Sequence, residues 1–273
     1  MYNNHVNNGG IMSKAIVFTS GKGGVGKSTL TLTVGRAIAE MGKSVALMDT
    51  DIGLNNLDVL MNVEHSVVYD IVDVLQGRCR LSQALVIDRL NNNLALLPSA
   101  HSYGDGAFSA QALKEIVVRL KTTHDFVLID CPAGIEFGFH RAVAAADEAV
   151  VVSSAHLSAL KDAAKVVELI RSYMIDVKIA LNRVRGDMLL DGQALTVEEI
   201  GGIMNAKIIG VVPEDDKVNL LSCGLSAQKG GEGCQAIKLL AHNICFRGEE
   251  VFDVTKKYRG LIGGLKRRLK GRL

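Results

Sequence analysis

Short apolar runs alternate with longer amphipathic segments along most of the 273-residue chain. The predicted strands are AIVFT (15–19), SVALMD (44–49), LALLP (94–98), DFVLID (125–130), EAVVVS (148–153), VKIALN (177–182) and AKIIGVV (206–212). Helical patterns are predicted near 27–41, 68–76, 109–122, 137–146, 157–172, 214–222 and 235–247. Because most of these strands are apolar almost throughout, they fit a parallel sheet that helices cover on both faces. The pattern predicts a three-layer α/β fold with a mostly parallel, twisted sheet.

The same pattern predicts one main domain between two terminal segments. Residues 14–250 hold all of these elements without a long polar linker. Residues 1–13 are rich in Asn and Gly and lack the basic start and apolar middle of a secretory signal, so we expect a disordered leader. Residues 251–273 are expected to form a linker and an amphipathic helix. No run approaches the roughly 18 consecutive apolar residues that a membrane span requires.

Composition removes several classes of function. Aromatic residues make up only 4% of the chain and Trp is absent, which argues against an aromatic platform for single-stranded nucleic acid. The five cysteines form no CxxC pair, and the seven histidines show no metal-ligand spacing. We therefore expect reduced thiols and no zinc-type site.

The net charge of +2 hides two regions of opposite sign. Residues 256–273 contain eight basic side chains and no acidic ones. Removing these eight from the 31 basic residues leaves 23 against 29 acidic residues, so the rest of the chain carries a net charge of −6. A body this acidic is a poor candidate for a general DNA-binding protein.

The stretch Gly21–Ser28 fits the phosphate-loop pattern G-x-x-x-x-G-K-[ST]. It lies directly after a predicted strand and at the start of a predicted helix, where backbone N–H groups and the helix dipole can bind phosphate oxygens. Lys27 is expected to reach the β- and γ-phosphates, and the Ser28 hydroxyl to bind Mg²⁺. The predicted nucleotide-binding residues of this loop are Gly21, Lys22, Gly23, Gly24, Val25, Gly26, Lys27, Ser28 and Thr29.

The loop KGGVGKST, with its early Lys22, resembles the deviant Walker A motif of the ParA/MinD family of ATPases. Further segments are similar to the MinD branch of that family, the membrane-associated ATPases that position the bacterial division site. These segments are DTDIGLNNLDVLM (49–61), VYDIVDVLQGRCRLSQAL (68–85), LLPSA (96–100), IDCPAGIE (129–136), GDMLL (186–190) and GVVPED (210–215). With the basic tail, the resemblance extends from about Met12 to the end of the chain.

The resemblance implies a P-loop NTPase fold and assigns roles to single residues. In the family, the early lysine reaches across a nucleotide-sandwiched dimer to the partner's phosphates, and this role falls to Lys22. A second ammonium group beside a triphosphate would stabilise transition-state charge, as an arginine finger supplied in trans does. The implied catalytic residues are Lys22, Lys27 and Asp51, of which Asp51 orients the attacking water in a switch segment that also holds Asn56.

Three aspartates end or follow predicted strands, so they should meet at the carboxyl edge of the sheet, where open α/β folds bind ligands. Asp130 resembles the Walker B residue that holds Mg²⁺ through water, and Asp49 is placed nearer the metal than Asp51. Ser28, Asp49 and Asp130 form the predicted metal site. For an isolated aspartate after a strand, helix capping is the common alternative.

The resemblance also implies a site for the adenine base. The implied contacts are Asn182, Arg183, Pro213, Glu214 and Asp215. Asparagine after a strand is also a common turn residue, which is the alternative for Asn182. Cys131 lies where the family often carries Ser, and we expect it to be a small packing residue.

The basic tail has the pattern of an amphipathic helix. On a helical wheel its six apolar residues fall within an arc of about 120°. Its four glycines, each costing about 1 kcal/mol relative to alanine, make it a poor helix in water, so it should fold only against a surface. A narrow apolar stripe flanked by basic side chains is typical of a helix on an anionic bilayer. The predicted membrane residues are Tyr258, Leu261, Ile262, Leu265, Leu269, Lys266, Arg267 and Arg268. The alternatives are a helix packed on the domain and a nucleic-acid-binding tail.

Together these features predict a Mg²⁺-dependent ATPase that acts as a switch. An ATP-bound homodimer would engage two tails with anionic lipids at the inner face of the cytoplasmic membrane, and hydrolysis would return the protein to the cytoplasm. The resemblance implies a MinC-like division inhibitor and a MinE-like or other topological regulator as partners, and no specific nucleic acid. The alternatives are related ATPases for flagellar number or for chromosome and plasmid partition; a relationship to the nitrogenase iron protein is opposed by the lack of paired cysteines.

Overall fold

The computed structural model describes residues 13–53, 56–100, 109–215, 218 and 231–260. Its strands are β1 (Lys14–Thr19), β2 (Val45–Asp49), β3 (Val86–Ile87), β4 (Leu94–Leu97), β5 (Phe126–Asp130), β6 (Glu148–Ser153), β7 (Asp176–Val184) and β8 (Lys207–Pro213). Its helices are α1 (Lys27–Glu40), α2 (Asn56–Met61), α3 (Ile71–Leu75), α4 (Leu81–Ala84), α5 (Ala110–Leu120), α6 (Phe137–Ala144), α7 (Leu157–Arg171), α8 (Gly186–Leu190), α9 (Val197–Met204) and α10 (Glu232–Phe246). Short 3₁₀ turns lie at Glu64–Ser66 and Lys256–Tyr258.

The described strands form one sheet in the order β3-β4-β2-β5-β1-β6-β7-β8. Every neighbouring pair is parallel except β3 and β4, which are antiparallel. The predicted mostly parallel α/β fold is therefore confirmed. Because β1 lies inside the sheet, the loop that follows it emerges at the carboxyl edge beside the ends of β2, β5 and β6.

Successive residues of β1 point to opposite faces of the sheet, as the two-residue period of a strand requires. Ile16 and Phe18 pack with the apolar faces of α1 and α10, whereas Ala15 and Val17 pack with α5, α6 and α7. All four side chains are buried. Helices thus cover both faces of the sheet, which explains why its central strands read as continuous apolar runs.

All seven predicted strands are present, but several short elements were not predicted. The unpredicted elements are β3, α2, α4, α8 and α9. Most are too short for a helical period to emerge from the sequence. The helix predicted at 68–76 is shorter because Asp70 caps α3 in a reciprocal pair with Asp73, which fixes its start at Ile71. Most of the helix predicted at 214–222 lies outside the described residues.

Residues 251–258, which we predicted to begin a linker, pack against the domain. Val254 and Tyr258 are buried. A Cβ atom at Gly186 would overlap the Val254 carbonyl oxygen, so the segment lies directly on the start of α8. Tyr258, which we predicted to contact the membrane, is thus only 6% exposed in this structure, and its contact with a membrane stays a prediction. The remaining predicted membrane residues, at 261–269, lie outside the described residues.

The structure adds two observations on the termini and on membrane crossing. Of the predicted leader only Ser13 is described, and its hydroxyl donates a 2.7 Å hydrogen bond to the His124 carbonyl oxygen. None of the helices in the described ranges is long and apolar enough to cross a bilayer.

Candidate nucleotide site

The loop between β1 and α1 has a backbone that only glycine adopts easily. Gly24 and Gly26 have φ angles of 79° and 88°, in the left-handed region. A Cβ atom at Gly26 would also overlap Nδ2 of Asn182, which donates a 2.9 Å hydrogen bond to the Val25 carbonyl oxygen. The loop ends at Lys27, the first residue of α1. This brings the glycine-rich backbone to the N-terminus of a 14-residue helix, an arrangement suited to phosphate.

The two lysines of this loop lie in different environments. Lys27 is buried, and its Nζ lies 2.8 Å from Asp130 Oδ1 and 3.1 Å from Ser28 Oγ. Burial alone would lower the pKa of Lys27, but the charge of Asp130 and the hydrogen bond to it outweigh burial, and the pKa is raised. Lys22 is exposed and lines a cavity of about 1090 Å³. One lysine is therefore held inside the site, and the other is available at its rim.

Asp49 and Asp130 are paired neighbours at the ends of β2 and β5. Both are almost fully buried. Burial, and then repulsion from Asp130, raise the pKa of Asp49 to about 7. Asp130 Oδ1 accepts the hydrogen bond from Lys27, whereas Oδ2 accepts none from any residue that the structure describes. The sheet thus brings together two carboxylates and one ammonium group.

The described residues contain no group of three or more His, Cys, Asp or Glu side chains able to hold a metal ion. Mg²⁺ usually keeps several waters and takes only one or two carboxylates from the protein. The predicted set of Ser28, Asp49 and Asp130 fits that pattern. Ser28 Oγ and Asp130 Oδ1 each lie within 3.1 Å of Lys27 Nζ, so these two predicted ligands occupy the same site.

Asp49 also organises the segment that follows β2. Its Oδ1 accepts a 2.9 Å hydrogen bond from the Asp51 amide, and its Oδ2 accepts a 3.1 Å bond from the Leu57 amide. Asp51 is half-buried, and burial raises its pKa. Asn56 Nδ2 approaches Asp51 Oδ2 at 3.4 Å. The three side chains predicted for this switch segment therefore form one connected group beside the phosphate loop.

The residues implied for adenine are only partly brought together. Arg183 and Glu214 line the same cavity as Lys22. Asn182 is buried against the phosphate loop, and Pro213 is buried at the end of β8. Asp215 Oδ2 accepts a hydrogen bond from the Gly233 amide in the first turn of α10. Asn182 and Asp215 are thus engaged with protein backbone, and all five adenine contacts stay predictions.

Two further residues beside the carboxylates bear on the site. Cys131 is fully buried and burial raises its pKa to about 12, which fits the expected packing role rather than a reactive thiol. The Thr31 hydroxyl lies 3.1 Å from Asp130 Oδ1. Sequence reasoning missed Thr31, although its position one helical turn after Lys27 places both side chains on one face of α1.

The chain is similar to known proteins over most of its length. A family model described as an AAA domain matches residues 13–182. The septum site-determining protein MinD of Synechocystis sp. is 38% identical over 270 residues, which cover 95% of this chain and 100% of the relative.

Two similar solved structures cover most of the chain. The MinC:MinD cell division protein complex of Aquifex aeolicus is 38% identical with a TM-score of 0.77, over 85% of this chain and 95% of that one. The septum site-determining protein MinD of Pyrococcus horikoshii, complexed with Mg-ADP, is 28% identical with a TM-score of 0.77, over 86% of this chain and 97% of that one. The similarity therefore extends over most of the chain.

Proposed function

This chain belongs to the MinD family of cell-division ATPases, and from that premise we propose that it is an ATP-hydrolysing dimerisation switch that binds the inner face of the cytoplasmic membrane. We further propose that it positions the division site by recruiting a MinC-like inhibitor, as the Aquifex complex suggests. The observation that carries the proposal is the contrast between buried Lys27 and exposed Lys22 in one phosphate loop.

Lys27 serves the nucleotide bound by its own subunit. In the structure its ammonium group is paired with Asp130. The negative charge of a triphosphate offers a stronger set of acceptors at the N-terminus of α1, so ATP draws Lys27 away from Asp130. Breaking this buried pair is costly unless both partners find new ones, and Mg²⁺ is the natural new partner for the carboxylate.

The metal fits the residues present. Asp130 Oδ2 is buried and accepts no hydrogen bond within the described ranges, and burial, followed by repulsion from Asp130, raises the pKa of Asp49. Ser28, Asp49 and Asp130 would hold hydrated Mg²⁺ at this edge. Bound there, the ion would neutralise charge on the β- and γ-phosphates.

Asp51 orients the attacking water. Its backbone is fixed by the bond from its amide to Asp49, and its side chain lies beside Asn56. A raised pKa, caused by burial, makes the Asp51 carboxylate a better hydrogen-bond acceptor than an ordinary surface aspartate. Orientation of water, rather than covalent chemistry, is what phosphoryl transfer asks of such a residue.

Lys22 serves the nucleotide of the other subunit. It is exposed at the rim of the cavity that Arg183 and Glu214 also line, so a second copy can receive it. An ammonium group supplied in trans makes hydrolysis depend on dimerisation. Dimerisation also joins two weak membrane anchors, and two linked anchors bind more strongly than one by about 10²- to 10⁴-fold.

The experiment is co-sedimentation of the full chain with phosphatidylglycerol-containing vesicles in ATP and in ADP. We expect ATP-dependent binding that the double substitution Leu265→Glu, Leu269→Glu abolishes. The matched control is Leu90→Glu, because Leu90 is an exposed leucine on the body. Full-length variants are preferable to truncation at residue 255, which would remove the buried Tyr258. Binding that ignores both the nucleotide and the tail substitutions would contradict the switch.

A further inference from the structure

Thr31 is a fully buried hydroxyl between the phosphate loop and the Walker B strand. Its Oγ1 lies 3.0 Å from the Lys27 carbonyl oxygen, one turn earlier in α1, and 3.1 Å from Asp130 Oδ1. A threonine hydroxyl has a single proton, so it can donate fully to only one of these two acceptors at a time. The charged carboxylate is the stronger acceptor.

Thr33 shows what a purely structural threonine looks like on the same helix. Its Oγ1 donates to the Thr29 carbonyl oxygen at 2.8 Å and lies 3.3 Å from that of Leu30. Thr33 is also buried, and both of its hydrogen bonds stay within α1. Thr31 and Thr33 therefore have the same chemistry, helix and burial, and differ in the contact with Asp130.

The two oxygens of Asp130 have different environments. Oδ1 accepts hydrogen bonds from Lys27 Nζ and Thr31 Oγ1, whereas Oδ2 accepts no hydrogen bond from the described part of the chain. The main chain of Asp130 is fixed separately, because Thr50 donates to its carbonyl oxygen through both the amide and the hydroxyl. When Lys27 moves to the phosphates, Thr31 is the donor that stays on Oδ1.

We propose that Thr31 is a positioning residue that holds Asp130 Oδ1 after Lys27 has left, so that Oδ2 stays directed at the hydrated Mg²⁺ of the bound nucleotide. The proposal rests on the proposed function, because it requires a Mg²⁺-nucleotide at this site. Groups that orient a metal ligand typically change metal affinity by about 10- to 100-fold when they are removed.

The test measures ADP affinity by calorimetry twice for each full-length protein, once with excess Mg²⁺ and once in EDTA. The ratio of the two affinities reports the metal contribution. We expect Thr31→Val to lower this ratio by about tenfold and to leave ADP affinity in EDTA unchanged. Thr33→Val should keep the wild-type ratio, and Thr31→Ser, which retains the hydroxyl, should restore it.

A ratio for Thr31→Val equal to that for Thr33→Val would overturn the proposal, and so would an equal loss of ADP affinity in EDTA and in Mg²⁺. If Thr31→Val does not fold, Thr31→Ala is compared with Thr31→Ser in the same way, and equal ratios again overturn the proposal. Wild-type protein that binds no ADP, or binds it without help from Mg²⁺, would instead overturn the proposed function on which the inference rests.

Discussion

The two edges of the sheet carry acidic side chains in opposite electrostatic states, partly buried Glu148 at one edge and buried Asp49 and Asp130 at the other. At the amino edge, Glu148 forms ion pairs with Lys14 and Lys178, whose Nζ atoms each lie 2.7 Å from one of its carboxylate oxygens. Burial opposes ionisation of Glu148, but the hydrogen bonds and charges of the two lysines outweigh burial and lower its pKa. At the carboxyl edge, Lys27 pairs with Asp130 alone, and burial and repulsion from Asp130 raise the pKa of the neighbouring Asp49 to about 7.

The difference separates a stabilising cluster from a binding site. At the amino edge Glu148 has two lysine partners, and Lys178 also lies 3.1 Å from Asp176, so the carboxylates of this cluster are paired without a ligand and the ion pairs stabilise the fold. Two carboxylates around one lysine leave the carboxyl edge with an excess of negative charge that a divalent cation can neutralise. Similar residue types therefore serve stability at one end of the strands and ligand binding at the other.

The largest expected effect is the loss of nucleotide binding and ATP hydrolysis when a lysine of the carboxyl edge, but not one of the amino edge, is substituted. Lys27→Ala should lose productive nucleotide binding and lower ATP hydrolysis by about 10³-fold or more, because it removes a charged donor to the phosphates. Lys22→Ala should keep nucleotide binding and lose hydrolysis, since the role we propose for Lys22 is in the partner's site. Lys14→Ala, a lysine of the amino edge, should leave both unchanged. Nucleotide affinity and turnover are measured at matched dimer concentration, and normal hydrolysis by Lys22→Ala would contradict the trans role.

The second prediction concerns the pH dependence that Asp49 gives to the metal-free protein. Its folded pKa of about 7 lies above its ordinary value of 3.8, so the folded state holds the proton more tightly. Stability is then fully present below about pH 4 and is lost as pH rises through 7. Between about pH 5 and pH 8 the wild type should lose on the order of 1 kcal/mol or more relative to Asp49→Asn.

Urea unfolding in EDTA across this pH range is the measurement for Asp49. The slope against pH is informative even if the substitution itself shifts stability, because Asp49 accepts two backbone hydrogen bonds that asparagine cannot both accept. Parallel pH curves for the two proteins would contradict a raised pKa of Asp49 caused by burial and by Asp130.

The carboxyl edge was largely predictable from sequence, because its chemistry is local. The phosphate loop is one contiguous stretch, and Asp49 and Asp130 each end an apolar strand, so the parallel sheet alone brings them together. The sequence did not show which hydrogen bonds connect the residues of this cluster. The bond from Leu57 to Asp49 and the contact of Thr31 with Asp130 depend on packing between separate elements.

The contacts of the amino edge and of residues 251–258 were not predictable, because they too depend on packing between separate elements. Glu148 reads in the sequence as an interruption of an apolar run, yet it pairs with Lys14, which is 134 residues away. Tyr258 fits the apolar stripe of a helical wheel, but it is buried in a segment that lies against the start of α8. Sequence periodicity indicates that an apolar residue will be buried, but only the tertiary structure shows which surface buries it.

The smallest expected effect tests the amino edge directly. Glu148→Gln removes the charge that holds Lys14 and Lys178 and should cost about 1 kcal/mol of unfolding free energy near pH 7, after allowance for solvent screening. The folded pKa of Glu148 is lowered from 4.5, so its contribution is present above about pH 4.5 and is lost as pH falls through the folded value. Glu249→Gln is the control, because Glu249 pairs with Lys207 at an exposed position, where solvent screens the pair, and the substitution should leave stability nearly unchanged. Asp49 weakens the fold as pH rises, whereas Glu148 weakens it as pH falls. The difference in unfolding free energy between wild type and variant, measured by urea unfolding, should therefore change with pH in opposite directions for Asp49→Asn and Glu148→Gln. Changes in the same direction would contradict the assignment of one edge to binding and the other to stability.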